Sequence, residues 1–240
     1  DEPFENSEIE NSENKILLEE FTGHQCPNCP GGAETIRLLK NLYGDRLIVI
    51  AYHAGFFART SPGFTTDYRT AVGTELNTYF GIQAYPSGLV NRSNKEVLER
   101  IKWPDATELV TIMPTLKLNI SHEYYSANRT LSVTVKSTAI GTQNKLNVCV
   151  FITESGMISP QLSSNETIPD YEHKYVFRAS LNGTWGSPIF EEGAETNQSQ
   201  SITVSGNIDE SWNESNIDII CFAYDSDTEE IIQAEIKSLL

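Results

Sequence analysis

The spacing of apolar residues changes character near residue 114. Before that point two runs, Ile16–Phe21 and Arg46–His53, are apolar enough to read as strands buried on both faces, although the first carries Glu19 and Glu20. Other stretches place apolar side chains three and four residues apart. These are Glu34–Tyr43, about 66 to 80 with Tyr68, Val72, Leu76 and Tyr79 on one face, and Pro104–Met113 with Ala106, Leu109, Val110 and Met113 aligned. They predict helices. Gly88–Arg92 predicts a further strand, and Pro114 ends the last helix. Beyond it the helical period disappears, and runs rich in Thr, Val and Ile follow: Thr115–Glu123, Thr130–Ser137, Leu146–Thr153, Tyr171–Ala179, Ser199–Ser205, Ile217–Tyr224 and Glu230–Lys237. The fold class expected is α/β plus all-β. An α/β domain over 15–113 is followed by an immunoglobulin-like β-sandwich over 114–240.

Between the first strand and the first helix lies Cys26-Pro27-Asn28-Cys29. Two cysteines this close form a disulfide only where a turn or a helix start holds their side chains together, and Pro27 suits the first turn of a helix. Strand, CxxC, helix is the order of a redox-active dithiol. The same spacing also serves zinc sites and inert structural disulfides. Zinc is the weaker reading, because Cys149 and Cys221 lie far apart and the histidines show no ligand spacing. No metal and no cofactor is expected. Cys149 and Cys221 fall inside predicted strands and read as unpaired core thiols, with a core disulfide as the alternative. Asp225–Thr228 reads as a hairpin turn.

Further along, the helical pattern of Tyr79–Phe80 gives way to Gly81-Ile82 and then Tyr85-Pro86. With the spacing from Phe21 to Cys26, this stretch resembles the thioredoxin superfamily, in which a cis proline faces the dithiol. Glu20 stands six residues before Cys26, where thioredoxin-like enzymes often carry a buried acid. Roles follow from that resemblance together with thiol chemistry. Cys26, nearer the helix N-terminus and the more exposed, attacks a substrate disulfide as the thiolate. Cys29 resolves the mixed disulfide, and Glu20 is the candidate base for its proton. Pro86 and the backbone of Tyr85 hold the substrate segment, while Pro27, Asn28 and an exposed His24 border the sulfurs. The other reading of Glu20, or of Glu19, is a solvated edge charge; strand alternation puts the two on opposite faces. His53 reads best as a partly buried, satisfied histidine, and Phe56 and Phe57 either line the approach to the dithiol or plug the core.

Charge narrows the partners. With 33 acids against 17 bases the net charge is −16, which argues against nucleic acid and against direct adhesion to anionic lipid. No apolar run is long enough to span a bilayer as a helix. Asp1–Asn14 holds six acids, no bases and two clearly apolar side chains, Phe4 and Ile9, and is expected to be a disordered acidic tail. The absence of an initiator methionine suggests a processed start, with an export signal removed and a lipid-bearing cysteine just upstream.

Over its whole length the chain resembles the outer-membrane-protein-28-related family of thioredoxin-like lipoproteins in Bacteroidetes bacteria. The residues that carry this are Leu17–Gly23 leading to Cys26–Pro30, Tyr52-His53-Ala54-Gly55, Pro86–Arg92, Tyr171–Arg178 and Ile231–Ala234. The resemblance implies export, an outer-membrane or cell-surface location through an N-terminal lipid anchor, and the periplasm as alternative. Two functions are expected to compete. One is a thiol–disulfide oxidoreductase acting on protein thiols and disulfides of exported proteins. The other is a surface binding lipoprotein or adhesin whose CxxC disulfide is structural.

Overall fold

The computed structural model of the protein describes residues 13–240. The tail expected over 1–14 lies outside the described residues except for Glu13 and Asn14. Asn14 belongs to the fold: its N–H donates to the Ile112 carbonyl (3.1 Å) and its own carbonyl accepts from Arg46 Nε (3.0 Å).

The first half contributes β1 (Ile16–Thr22), α1 (Cys29–Tyr43), β2 (Leu47–His53), α2 (Ala71–Tyr79), β3 (Ser87–Val90), β4 (Leu98–Glu99) and α3 (Trp103–Glu108). The second half is built of strands: β5 (Leu116–Tyr125), β6 (Thr130–Ala139), β7 (Leu146–Glu154), β8 (Met157–Leu162), β9 (Thr167–His173), β10 (Val176–Ser180), β11 (Ser187–Phe190), β12 (Ser199–Asn207), β13 (Ile217–Asp225) and β14 (Ile231–Ser238). Every residue of β1 and β2 is buried, as a strand covered on both faces requires. Helix α1 buries Cys29, Gly32, Ile36 and Leu39 at helical spacing and stops at Gly44, whose positive φ of 55° returns its N–H to the Lys40 carbonyl. Thr70 caps α2 by accepting from the Gly73 N–H (2.9 Å).

Several expectations change. The single strand expected over Tyr171–Ala179 is two, β9 and β10, broken where Tyr175 takes a φ of +57°. Strands β8 and β11 were not anticipated. Helix α3 ends at Glu108, so Leu109 and Met113 are exposed rather than packed.

A mixed sheet organises the molecule, in the order β14-β13-β7-β10-β2-β1-β3-β4, with β11 added on β7. Strands β1 and β2 are parallel, β3 is antiparallel to β1, and β10 joins β2 in parallel through Val176 opposite Ala51. The Ala51 N–H donates to the Tyr175 carbonyl (2.8 Å). The sheet therefore runs straight past the boundary expected between 113 and 114. The far edge of β2 carries unpaired backbone groups that need partners, and a strand from the second half supplies them.

One face of β7 and β13 meets the separate sheet β12-β6-β5 across a core containing Val133, Val135, Val148, Val150, Ile219 and Cys221. Residues alternate buried and less buried along β6, the pattern of a strand with one face inward. The other face of β7 and β13 shares a core with the first half. There Tyr52 packs on Phe177 (5.1 Å between ring centroids), Phe177 on Phe151 (4.9 Å) and Phe151 on Phe222 (5.1 Å). A third cluster, with Ile36, Leu39, Val49, Val90 and Trp103, lies beneath α1 and α3.

Candidate functional site

Cys26 and Cys29 are joined as a disulfide with Cα atoms 5.4 Å apart. The turn is held by the Cys26 N–H on the Gly23 carbonyl (3.0 Å) and the Cys29 N–H on the Cys26 carbonyl (3.3 Å). Helix α1 begins at Cys29, and it is Pro30 rather than Pro27 that fills its first turn. No acidic residue lies in that turn. The positive end of the helix is thus free to favour a thiolate.

The Tyr85-Pro86 peptide bond is cis, and Pro86 is buried against the same first turn. Gly32 makes this approach possible: a Cβ there would stand 2.7 Å from Glu20 Oε1 and 3.0 Å from the Pro86 ring. Gly32 thus brings together Cys29's helix, the cis proline and the buried acid. Sequence reasoning overlooked it, because Gly32 precedes the helix expected from Glu34 and a glycine there reads as loop, whereas α1 begins at Cys29.

Glu20 is 4% exposed, so it is no solvated edge charge. Burial pushes its carboxyl up from the usual 4.5 to about 8, and Oε1 has no hydrogen-bond partner among the described residues. Glu20 and Cys29 line a common cavity of about 490 Å³ between α1 and β9, together with His53, Gln161, Tyr171 and His173. His53 and His173 stack edge to face at 5.4 Å. Burial first, and the neighbouring His173 and His24 second, hold the His53 imidazole well below the usual range. Burial also lowers His173 to about 4. His53 Nδ1 and His173 Nε2, like Glu20 Oε1, lack partners among the described residues, so His53 is buried but not satisfied. Gln161 gave no signal in the sequence, and His173 was visible only as part of a similar stretch.

Glu19 faces the other way. Its carboxylate accepts from two of the three guanidinium nitrogens of Arg92, Nε at 2.6 Å and Nη2 at 2.7 Å, and from the Tyr52 hydroxyl at 2.9 Å; the third, Nη1, has no hydrogen-bond partner among the described residues. Both partners of this ion pair are wholly buried. The guanidinium also lies over the rings of Phe222 (5.1 Å) and Phe80 (5.2 Å).

The remaining predicted site residues divide. Pro27 is half-buried and Asn28 exposed, so the tip of the turn faces solvent. Cys26, expected to be the exposed thiol, is 1% exposed. His24 is likewise 1% exposed; its Nε2 meets the Arg59 carbonyl (2.9 Å) and its ring packs on Phe64. It is a buried packing residue and does not border the sulfurs from solvent. Tyr85 is half-buried, its hydroxyl donating to Asn77 Oδ1 (2.5 Å). Phe57 packs on Tyr85, while Phe56 is exposed beneath Arg59.

Cys149 and Cys221 are free and buried. On paired strands Cys149 stands opposite Phe222 and Cys221 opposite Val150, one position out of register, so the two thiols enter different cores. Burial pushes the Cys149 thiol up to about 12. Among the described residues no group of three or more His, Cys, Asp or Glu is arranged to hold a metal ion.

A protein built this way combines a mixed sheet with a second all-β layer and carries a CxxC disulfide at a helix start. Residues 74–239 match the family model described as outer membrane protein Omp28, and the chain belongs to that family. Membership assigns it to the outer membrane. Among the described residues no helix is long and apolar enough to cross a bilayer. HBP35 of Porphyromonas gingivalis is similar in fold, with 18% identity over 95% of this chain and 76% of its own and a TM-score of 0.69. Protein AGR_C_4864 from Agrobacterium tumefaciens aligns over 93% of both chains at 12% identity and a TM-score of 0.52. No curated protein matches the chain.

Proposed function

We propose that this protein is an exported thiol–disulfide oxidoreductase, held at the outer membrane or cell surface by an N-terminal lipid anchor. In this reading residues 15–113 are a thioredoxin-like domain, whose β2 edge is extended by β10, and 114–240 an immunoglobulin-like one. The observation that carries it is the convergence on one helical turn of the Cys26–Cys29 pair, the cis Pro86 and the buried, unpartnered carboxyl of Glu20.

In the reduced protein the Cys26 thiolate attacks one sulfur of a disulfide in an exported protein. A new sulfur–sulfur bond forms to Cys26 and the substrate's own bond breaks, its second sulfur leaving as a thiolate that takes a proton from water. Glu20, with its carboxyl at about 8, matches a thiol closely enough to accept the proton of Cys29. The Cys29 thiolate then displaces the substrate sulfur from Cys26. Two electrons have passed to the substrate and the Cys26–Cys29 disulfide remains, to be reopened by an external dithiol. Run backwards, the same steps oxidise a substrate dithiol.

The burial of Cys26 favours a second reading, a surface binding protein or adhesin with a locked disulfide. Insulin reduction driven by dithiothreitol separates the two. The oxidoreductase accelerates precipitation of the insulin B chain, and Cys26→Ser abolishes the acceleration while the folded protein keeps its circular dichroism. Equal rates with wild type, Cys26→Ser and no protein would leave only the binding reading.

A further inference from the structure

One element near the dithiol has no part in that chemistry. Strands β8 and β9 form a two-stranded sheet of their own, outside the large sheet, and the hairpin lies against the CxxC loop. The Leu162 N–H donates to the His24 carbonyl (2.7 Å). Gln161 Nε2 donates to the Cys26 carbonyl (3.0 Å) and also to that of Gly23 (3.4 Å), and Ser164 Oγ donates to the Pro27 carbonyl (3.4 Å). Pairing between β8 and β9 slips between Ser159 and Gln161, a local irregularity of the kind that re-aims a side chain. Here the side chain concerned is Gln161. The hairpin is pinned further back by Tyr68, whose hydroxyl donates to Ser159 Oγ (2.9 Å). The carbonyls of His24, Cys26 and Pro27 are thus taken by the end of β8 and the turn that follows it, through one backbone N–H and two side chains, and Cys26 beside them is 1% exposed while Asn28 stays open.

We propose that the Gln161–Ser164 segment of the hairpin occupies the place of a substrate backbone, and that its displacement selects disulfides set in extended polypeptide over small free disulfides. An extended chain flanking a disulfide brings its own N–H groups to the carbonyls that the hairpin gives up, so few hydrogen bonds are lost in the exchange. A small disulfide offers no such replacement and meets a closed site. The selection rests on the oxidoreductase reading and adds no step to its chemistry.

Single-turnover mixing of the pre-reduced full chain tests this, with insulin and with bis(2-hydroxyethyl) disulfide as oxidants, beside the rate of Cys26 alkylation by iodoacetamide read from peptide masses. Wild type is expected to react at least about tenfold faster with insulin than with the small disulfide. Gln161→Ala is expected to raise both the small-disulfide and alkylation rates at least about threefold and the insulin rate less. Leu162→Pro, which removes the N–H given to His24, is a second variant with the same expectation. Ser61→Ala loosens a different segment against the loop, through its bond to Gln25, and should leave all three rates unchanged. Insulin reduction with small-disulfide and alkylation rates indifferent to both hairpin variants overturns the selection and leaves the oxidoreductase standing. No insulin reaction in wild type or either variant overturns the oxidoreductase and the selection with it.

Discussion

Glu19 and Glu20 are consecutive on β1, yet the two faces of the sheet treat them in opposite ways. On the face shared with the second half, Glu19 is enclosed with a cation held at two points, a tyrosine hydroxyl and aromatic rings over the guanidinium. On the α1 face Glu20 is as deeply enclosed, but its carboxyl has no cation and one oxygen without a protein partner. The first arrangement answers the cost of burying a charge with a partner, and the second answers it by keeping the proton. A fold requires the former; the latter leaves a titrating group where a thiol chemistry could use it.

The largest effect should come from breaking the ion-paired side. Arg92→Met leaves the Glu19 carboxylate buried alone, at an expected cost of about 3–5 kcal/mol. Thermal unfolding should show a midpoint lower by roughly 10 °C. Adding Glu19→Gln to that variant should recover much of the loss; a single Arg92→Met of wild-type stability would erase the contrast.

Glu20→Gln should act with the opposite sign. The folded protein holds the Glu20 proton up to about 8 while the unfolded chain releases it near 4.5, so stability falls as pH rises between those values. At about pH 7 the variant is expected to exceed wild type by about 3 kcal/mol, and at about pH 4 to match it. Urea unfolding at the two pH values reads the difference.

Gly32→Ala places a methyl group against Glu20 Oε1 and the Pro86 ring, so α1 must lift from the cis proline. A destabilisation of about 1–3 kcal/mol is expected, with slower insulin reduction. Equal activity at equal stability would show that the close approach matters little to the site.

The smallest effect concerns the cavity histidines. His53 and His173 titrate below the usual 6.5 when folded, so their contribution is whole above that value and shrinks as pH falls below it, for His173 down to about 4. His173→Phe should soften this acid limb by about 1–2 kcal/mol at pH 5, with little change at pH 7, in the same urea measurements.

Local pattern was enough for a good deal of this. The buried runs of β1 and β2, the helix after the CxxC pair and the Thr/Val/Ile strands are properties of side-chain period, and period survives in one dimension. The opposite facing of Glu19 and Glu20 also follows from strand alternation alone. The dithiol, its neighbouring acid and the Tyr85-Pro86 dipeptide could be singled out because each is defined by residue type and short spacing. Pairing across long distances could not. The partner of Glu19 lies 73 residues away at Arg92, the edge of β2 is completed by Val176, and Gln161 reaches Cys26 across 135 residues. Such contacts depend on which strand edges and buried charges meet once the sheet closes, and no local period records that. The exposure of Cys26 and His24 was misjudged for the same reason. Covering a loop is the act of another segment, so only the tertiary structure decided whether the dithiol is open or closed.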